Sequence, residues 1–166
     1  MTQTFTAGVY FPFSMEANYN DMMYVVNYPA VICHEYSHLK GYLFEDEANF
    51  IAYLACINSD DVFFQYSGYQ SVLGYVDNSY FDSVGAERYA EQIQVDTQVW
   101  EDFIFLTPEN WEVVEEESIL DTEKVDEVSD AMTDETLKFF GVEEGIISYD
   151  RVTELLLEYY SLREEI

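Results

Sequence analysis

Near the C-terminal end of the chain, Val152, Leu155, Leu156, Tyr159 and Leu162 recur at intervals of three and four residues. That period lines one face of an α-helix, and Ser148 or Asp150 can cap it. Further upstream, Val31, Ile32 and Leu39 lie between Pro29, which fits a first helical turn, and Gly41, a natural residue just beyond a helix end. This predicts a helix from Pro29 to about Lys40. A second helix should run from about Phe44 to Ile57, ended by Asn58, Ser59 and Asp60. Asp60 or Asp61 can cap a third, aromatic helix through Tyr75. Asn78 and Ser79 precede a fourth segment, roughly Asp82 to Leu106. Pro108 then opens a long acidic helix that reaches Phe140 and is broken by Gly141 and Gly145.

Ahead of these helices, GVYFPF (8–13) is rich in β-favouring residues, but Pro12 limits it to an edge strand or extended segment. Asn18 to Asp21 reads as a turn. The pattern predicts one mainly α domain over 1–166, with a small N-terminal β or extended edge segment. No internal repeat, linker or second domain is visible.

Composition narrows the classes. With 166 residues, the chain can bury one real core. Its 49% hydrophobic content, with 15 Tyr and 12 Phe, excludes a disordered acidic protein despite a net charge of −28. Six cations against 34 anions exclude a nucleic-acid-binding stripe and disfavour an anionic membrane surface. No apolar run approaches the roughly 18 residues of a membrane span. The N-terminus lacks the basic and apolar regions of a signal peptide. Two cysteines make no disulfide framework, and Cys33 and Cys56 read as small buried residues. The charge is uneven: residues 1–83 hold 10 acids, residues 84–166 hold 24. The run Glu115, Glu116, Glu117 is a solvated helix face, since no calcium-loop spacing occurs. The chemically specific sequence therefore lies in the sparser half.

That half contains His34-Glu35-Tyr36-Ser37-His38, an H-E-x-x-H string that uses both histidines of the protein. Four residues apart on a helix, the imidazoles project from one face at roughly 40° to each other and can share one metal ion. Glu35 lies beside the open position, placed to take a proton from metal-activated water. A catalytic zinc site needs a third protein ligand, and no third histidine exists. The string EDEANFIAYLAC offers Glu45, Asp46 and Glu47. At about 100° per residue, Glu45 shares a face with Asn49, Ala52 and Cys56, with Ala48 and Ala55 nearby, and these small residues permit close packing on the first helix. Glu45 is therefore preferred, with Glu47 as the alternative. Asn49 would hold a ligand in place by a hydrogen bond.

His34-Glu35-x-x-His38 followed by Glu45-x-x-x-Asn49 resembles the gluzincin zinc metallopeptidases. The strings YFPFSMEAN (10–18), CHEYSHLKG (33–41), EDEANFIAYLAC (45–56), YSGY (66–69) and SYDRVTELLLEYY (148–160) are similar to a bacterial domain-of-unknown-function family described as zinc-dependent membrane metallopeptidases. The resemblance is dense over 8–76, thinner beyond, and Met15 and Asp150 stand where a small glycine is expected. It implies a zincin-like (gluzincin) helical domain with one Zn2+ per chain at His34, His38 and Glu45, Glu35 as catalytic base and a zinc-binding core over 8–76; the acidic helical part over 80–166 is read from composition and is unusual for the family. Family members usually carry transmembrane helices, so the chain reads as a soluble domain from a bacterial membrane-associated context.

The expected reaction is hydrolysis of peptide bonds in a peptide or protein substrate. Tyr66, Tyr69, Tyr149 and Arg151 are the candidates for stabilising an oxyanion. The plainer role of Arg151 is an ion pair with Asp150 or Glu154, and FFQYSGY more simply lines the core or a cleft. Residues 8–18 either bind substrate as an edge strand or form an ordinary edge of the core. The alternative function is a non-enzymatic zinc-stabilised pseudoenzyme or a protein-binding helical domain.

Overall fold

The computed structural model describes residues 2–4, 6–92, 94–118 and 150–164. The chain enters through a β-hairpin. Strand β1 (Gly8–Phe11) pairs antiparallel with β2 (Glu16–Tyr19), Gly8 opposite Tyr19 and Phe11 opposite Glu16. Pro12 falls just after β1, where no ladder N–H is required. Met15 closes the turn at a φ of 58°, the left-handed region in which glycine is the unstrained residue. The extended segment thus stops at Phe11, and Asn18 and Tyr19 lie in a strand rather than a turn. The reversal comes at Asn20, which is buried. Its backbone N–H donates to Ala7 O (2.8 Å) and its Oδ1 accepts from the Met22 N–H (3.0 Å). These contacts favour a turn two residues later than composition suggested.

A short 3-10 turn, Val25–Asn27, leads into α1 (Tyr28–Leu39), with Pro29 in its first turn. The Ala30 N–H, one of the donors a helix start leaves without a partner, donates to Ser67 Oγ (3.1 Å). Gly41 ends the helix at a φ of 102°. The Gly41 N–H reaches His38 O (3.0 Å) and the Tyr42 N–H reaches Ser37 O (3.1 Å), the two bonds of a Schellman stop. Helix α2 (Glu45–Ile57) follows after a short loop and packs against α1. Ala48, Ala52 and Cys56 are buried as the small-residue face requires, whereas Ala55 is exposed.

Helix α3 (Val62–Ala90) is capped by Asp61, whose side chain accepts from the Phe63 N–H (2.8 Å). It runs through Asn78 and Ser79, where a break was expected. Both are exposed, and their modest propensity cost does not end a helix already packed on α2. The interruption comes at Gly85 (φ 76°). Residues 82–106 accordingly form no single helix. A short α4 (Thr97–Glu101), capped by Asp96, lies within them. Pro108 opens α5 (Pro108–Glu117), with the Thr107 side chain accepting from the Asn110 N–H. Helix α5 ends at Glu117, because Ser118 is extended; the expected continuation to Phe140, the breaks at Gly141 and Gly145 and the Ser148 cap lie outside the described residues. Glu115, Glu116 and Glu117 are exposed.

Helix α6 (Asp150–Glu164) returns to the body of the protein. Val152 and Leu156 join Tyr53 and Val72 in the core, with Phe50, Leu54, Ile57 and Tyr75 around them. Leu162, at the end of the predicted stripe, is exposed. The core therefore lies between α2, α3 and α6. Gly68 lets α3 approach α2: a Cβ there would sit 2.6 Å from the Cys56 Cβ. Segment 99–110 is strapped to the N-terminal part and to α3: Tyr24 and, from α3, Tyr66 donate to the two Asp102 oxygens, Asn27 donates to Ile104 O, and Asn110 donates to Met22 O. Among the described residues, no helix is long and apolar enough to cross a membrane.

Candidate metal centre

His34 and His38 project from one face of α1, as their spacing requires, and Glu45 meets them from the first position of α2. The two Nε2 atoms lie 3.0 Å apart. Glu45 Oε2 is 3.2 Å from His34 Nε2, and Oε1 is 3.5 Å from His38 Nε2. Two metal–ligand bonds of zinc length meeting at a tetrahedral angle place their outer atoms about 3.3 Å apart. The spacing therefore suits three ligands of one small ion, and these three side chains form a group able to hold a metal.

His38 Nδ1 lies 2.7 Å from Tyr42 O, a pure acceptor, so Nδ1 carries the proton. His34 Nδ1 lies 2.8 Å from Asn49 Oδ1. In neutral imidazoles held this way, both Nε2 atoms present lone pairs to each other and to a carboxylate. Three acceptors converging at this distance require a cation among them, either a proton or a metal ion. The carbonyl partners are also what fixes the tautomer of metal-binding histidines. Backbone geometry supplies one of them: the Schellman stop at Gly41 folds Tyr42 back so that its carbonyl faces His38.

Electrostatics follow the geometry. Burial pushes the Glu45 carboxyl upward, but the hydrogen bonds and charges of His34 and His38 outweigh it and hold the group at about 2. Burial depresses His38, yet the Glu45 carboxylate and the Tyr42 carbonyl raise it overall. Glu35 is raised by burial, against the opposing pull of the two imidazoles. It is 6% exposed, and β1 crosses it at Gly8, where a Cβ would stand 2.3 Å from Glu35 Oε1. Its Oε2 is buried without a hydrogen-bond partner. The ring of Tyr10, two residues along β1, stacks on His38 at 6.3 Å between centroids.

Not all the residues singled out from the sequence gather here. Glu47 is half-buried and does not belong to the group. Tyr66 donates to Asp102 Oδ2 (2.7 Å), and Tyr69 packs edge-on against Tyr53. Arg151 reaches back to α2 and pairs with the buried Asp46 (Nε to Oδ2, 3.2 Å), a partner the sequence did not suggest; the side chain of Asp150 lies outside the described residues. Tyr149 lies outside the described residues. Cys33, half-buried, and Cys56, buried, face each other at 3.9 Å between sulfurs, outside the ligand group. The roles of Gly8, Tyr10 and the Tyr42 carbonyl escaped the sequence. Only the last had a signal there, since a glycine stop at 41 places residue 42 opposite the last helical turn.

Fold and site together define a mainly helical domain with an imidazole–carboxylate group able to hold a metal ion. A family model matches residues 1–157, and the chain belongs to that family, described as "Protein of unknown function (DUF3810)". No curated protein and no solved structure matches the chain.

Proposed function

We propose that this protein is a zinc-dependent metallopeptidase of gluzincin type, acting on a peptide or protein substrate. One observation carries the reading: two imidazole Nε2 atoms and a carboxylate converge while carbonyl oxygens occupy the Nδ1 side of each ring. His34, His38 and Glu45 would hold the ion, one per chain. Imidazole and carboxylate ligands with a position left open suit zinc. When bound, zinc supplies Lewis acidity towards the scissile carbonyl and acidifies water. Glu35 supplies the base: its carboxyl, raised by burial, is suited to accept a proton from water and deliver it to the leaving amine. Asn49 and the Tyr42 carbonyl keep the imidazoles oriented, and Tyr10 limits rotation of His38.

Metal content and hydrolysis of a generic fluorogenic peptide test the proposal. Purified protein should carry one zinc per chain, His38→Ala should lose it, and Glu35→Gln should keep it while hydrolysis falls at least about 100-fold. Equal hydrolysis by wild type and Glu35→Gln would sink the assignment. The enclosure of Glu35 beneath Gly8 favours a second reading, a zinc-stabilised domain that binds a partner without hydrolysis. In that case removal of zinc lowers the melting temperature, and wild type and Glu35→Gln both stay at background hydrolysis.

A further inference from the structure

Among the described residues, two acids are buried, Glu35 and Asp46, and each directly follows a metal-ligand candidate in the sequence. Glu35 has a role in the proposed reaction; Asp46 has none. Asp46 is 1% exposed, and neither of its oxygens accepts a well-directed hydrogen bond. What faces it is Arg151, from the first turn of α6, with Nε 3.2 Å from Oδ2. Arg151 is one of only six cations in a chain with 34 acids, yet it sits on the most enclosed of the described carboxylates.

The place of this pair in the fold matters. Glu45 is the first residue of α2, and Phe44 before it provides no side-chain cap. With no side-chain cap, the direction of this first turn is set by what Glu45 and Asp46 themselves contact. Successive residues differ by about 100° around a helix, so fixing Asp46 inward fixes the direction in which Glu45 leaves the axis. Helix α6 is itself anchored along α2 by Val152 and Leu156 against Tyr53, and by Tyr159 edge-on to Phe50 at 6.0 Å.

We infer that Arg151 is a positioning residue for the metal centre: by neutralising buried Asp46 it clamps the uncapped first turn of α2 and aims Glu45 at the two imidazoles. This rests on the metal-centre reading. The coupling is lopsided. Asp46 needs the cation because it cannot be solvated, whereas Arg151, 55% exposed, can return to water.

The test measures Zn2+ affinity by chelator competition, with helix content from circular dichroism as a control of folding. Arg151→Met should weaken Zn2+ binding about 10-fold, the lower end of the range for direct outer partners of a ligand, since Arg151 acts on Glu45 through Asp46. Arg151→Lys should recover part of the loss. Asp46→Asn alone, and Asp46→Asn with Arg151→Met, should both stay within about threefold of wild type, since a neutral amide needs no counter-charge. If Arg151→Met does not fold, Asp46→Asn still decides, because a loss in it as large as 10-fold overturns the inference. So does unchanged affinity in folded Arg151→Met, or a double variant as weak as Arg151→Met. A wild type that takes up no Zn2+ overturns the metal-centre reading and this inference together.

Discussion

Gly41 leaves α1 at a φ of 102°, and nothing lies within 4 Å of where a Cβ would be. A side chain there would meet no obstacle, only the backbone penalty of the left-handed region. Gly41→Ala should therefore cost about 1 kcal/mol, read as a lower denaturation midpoint, with Gly41→Asn milder. Metal affinity should fall as well, because the displaced Tyr42 carbonyl no longer holds His38. At this scale the candidate ligands were legible in the sequence because their chemistry is local: two imidazoles and a glutamate at fixed helical offsets. Gly8 was not legible. Its requirement comes from a strand crossing Glu35, twenty-seven positions away in sequence, and local pattern carries no trace of such a crossing.

Helices α1 and α2 are joined by more than packing, since His38 and Glu45 bridge them. In metal-free protein this tie has two titration limits. The Glu45 carboxyl is lowered from an ordinary value of 4.5 to about 2, so its contribution is present above pH 4.5 and lost as pH falls towards 2. His38 is raised above 6.5, so its contribution is present below pH 6.5 and lost as pH rises through its folded value. The stability gap between metal-free wild type and His38→Ala should peak between about pH 4.5 and 6.5, measured by thermal melts. Stabilisation by added zinc should instead grow as pH rises above 6.5, because metal and proton compete for the same nitrogen. The ends of these two helices could be read from Pro29, Gly41 and Asn58. The length of α3 could not, because burial of its Ser67, Gly68 and Val72 face carries the helix past residues that would end an isolated one. The hairpin was half visible: β1 has strand composition, while Glu16–Tyr19 is a strand only because β1 lies beside it.

Across the whole molecule, the excess of acids decides little about the centre, since Glu115, Glu116 and Glu117 face solvent while the ligands draw on helices in the less acidic half. What decides more is order along the chain. His34, His38 and Glu45 fall on consecutive helices joined only by residues 40–44. Closing so short a loop costs little entropy, and the contacts it makes are of low contact order. The three candidate ligands thus lie on one αα-hairpin, whose second helix also carries Tyr53 into the core beside α3 and α6. Zinc should slow amide hydrogen exchange first and most strongly over residues 28–57, and far less along the outer half of α3 beyond Tyr75, as exchange mass spectrometry can resolve. A metal ion captured there would act as a staple across the two helices, with α6 bracing one leg of it through Arg151 on Asp46.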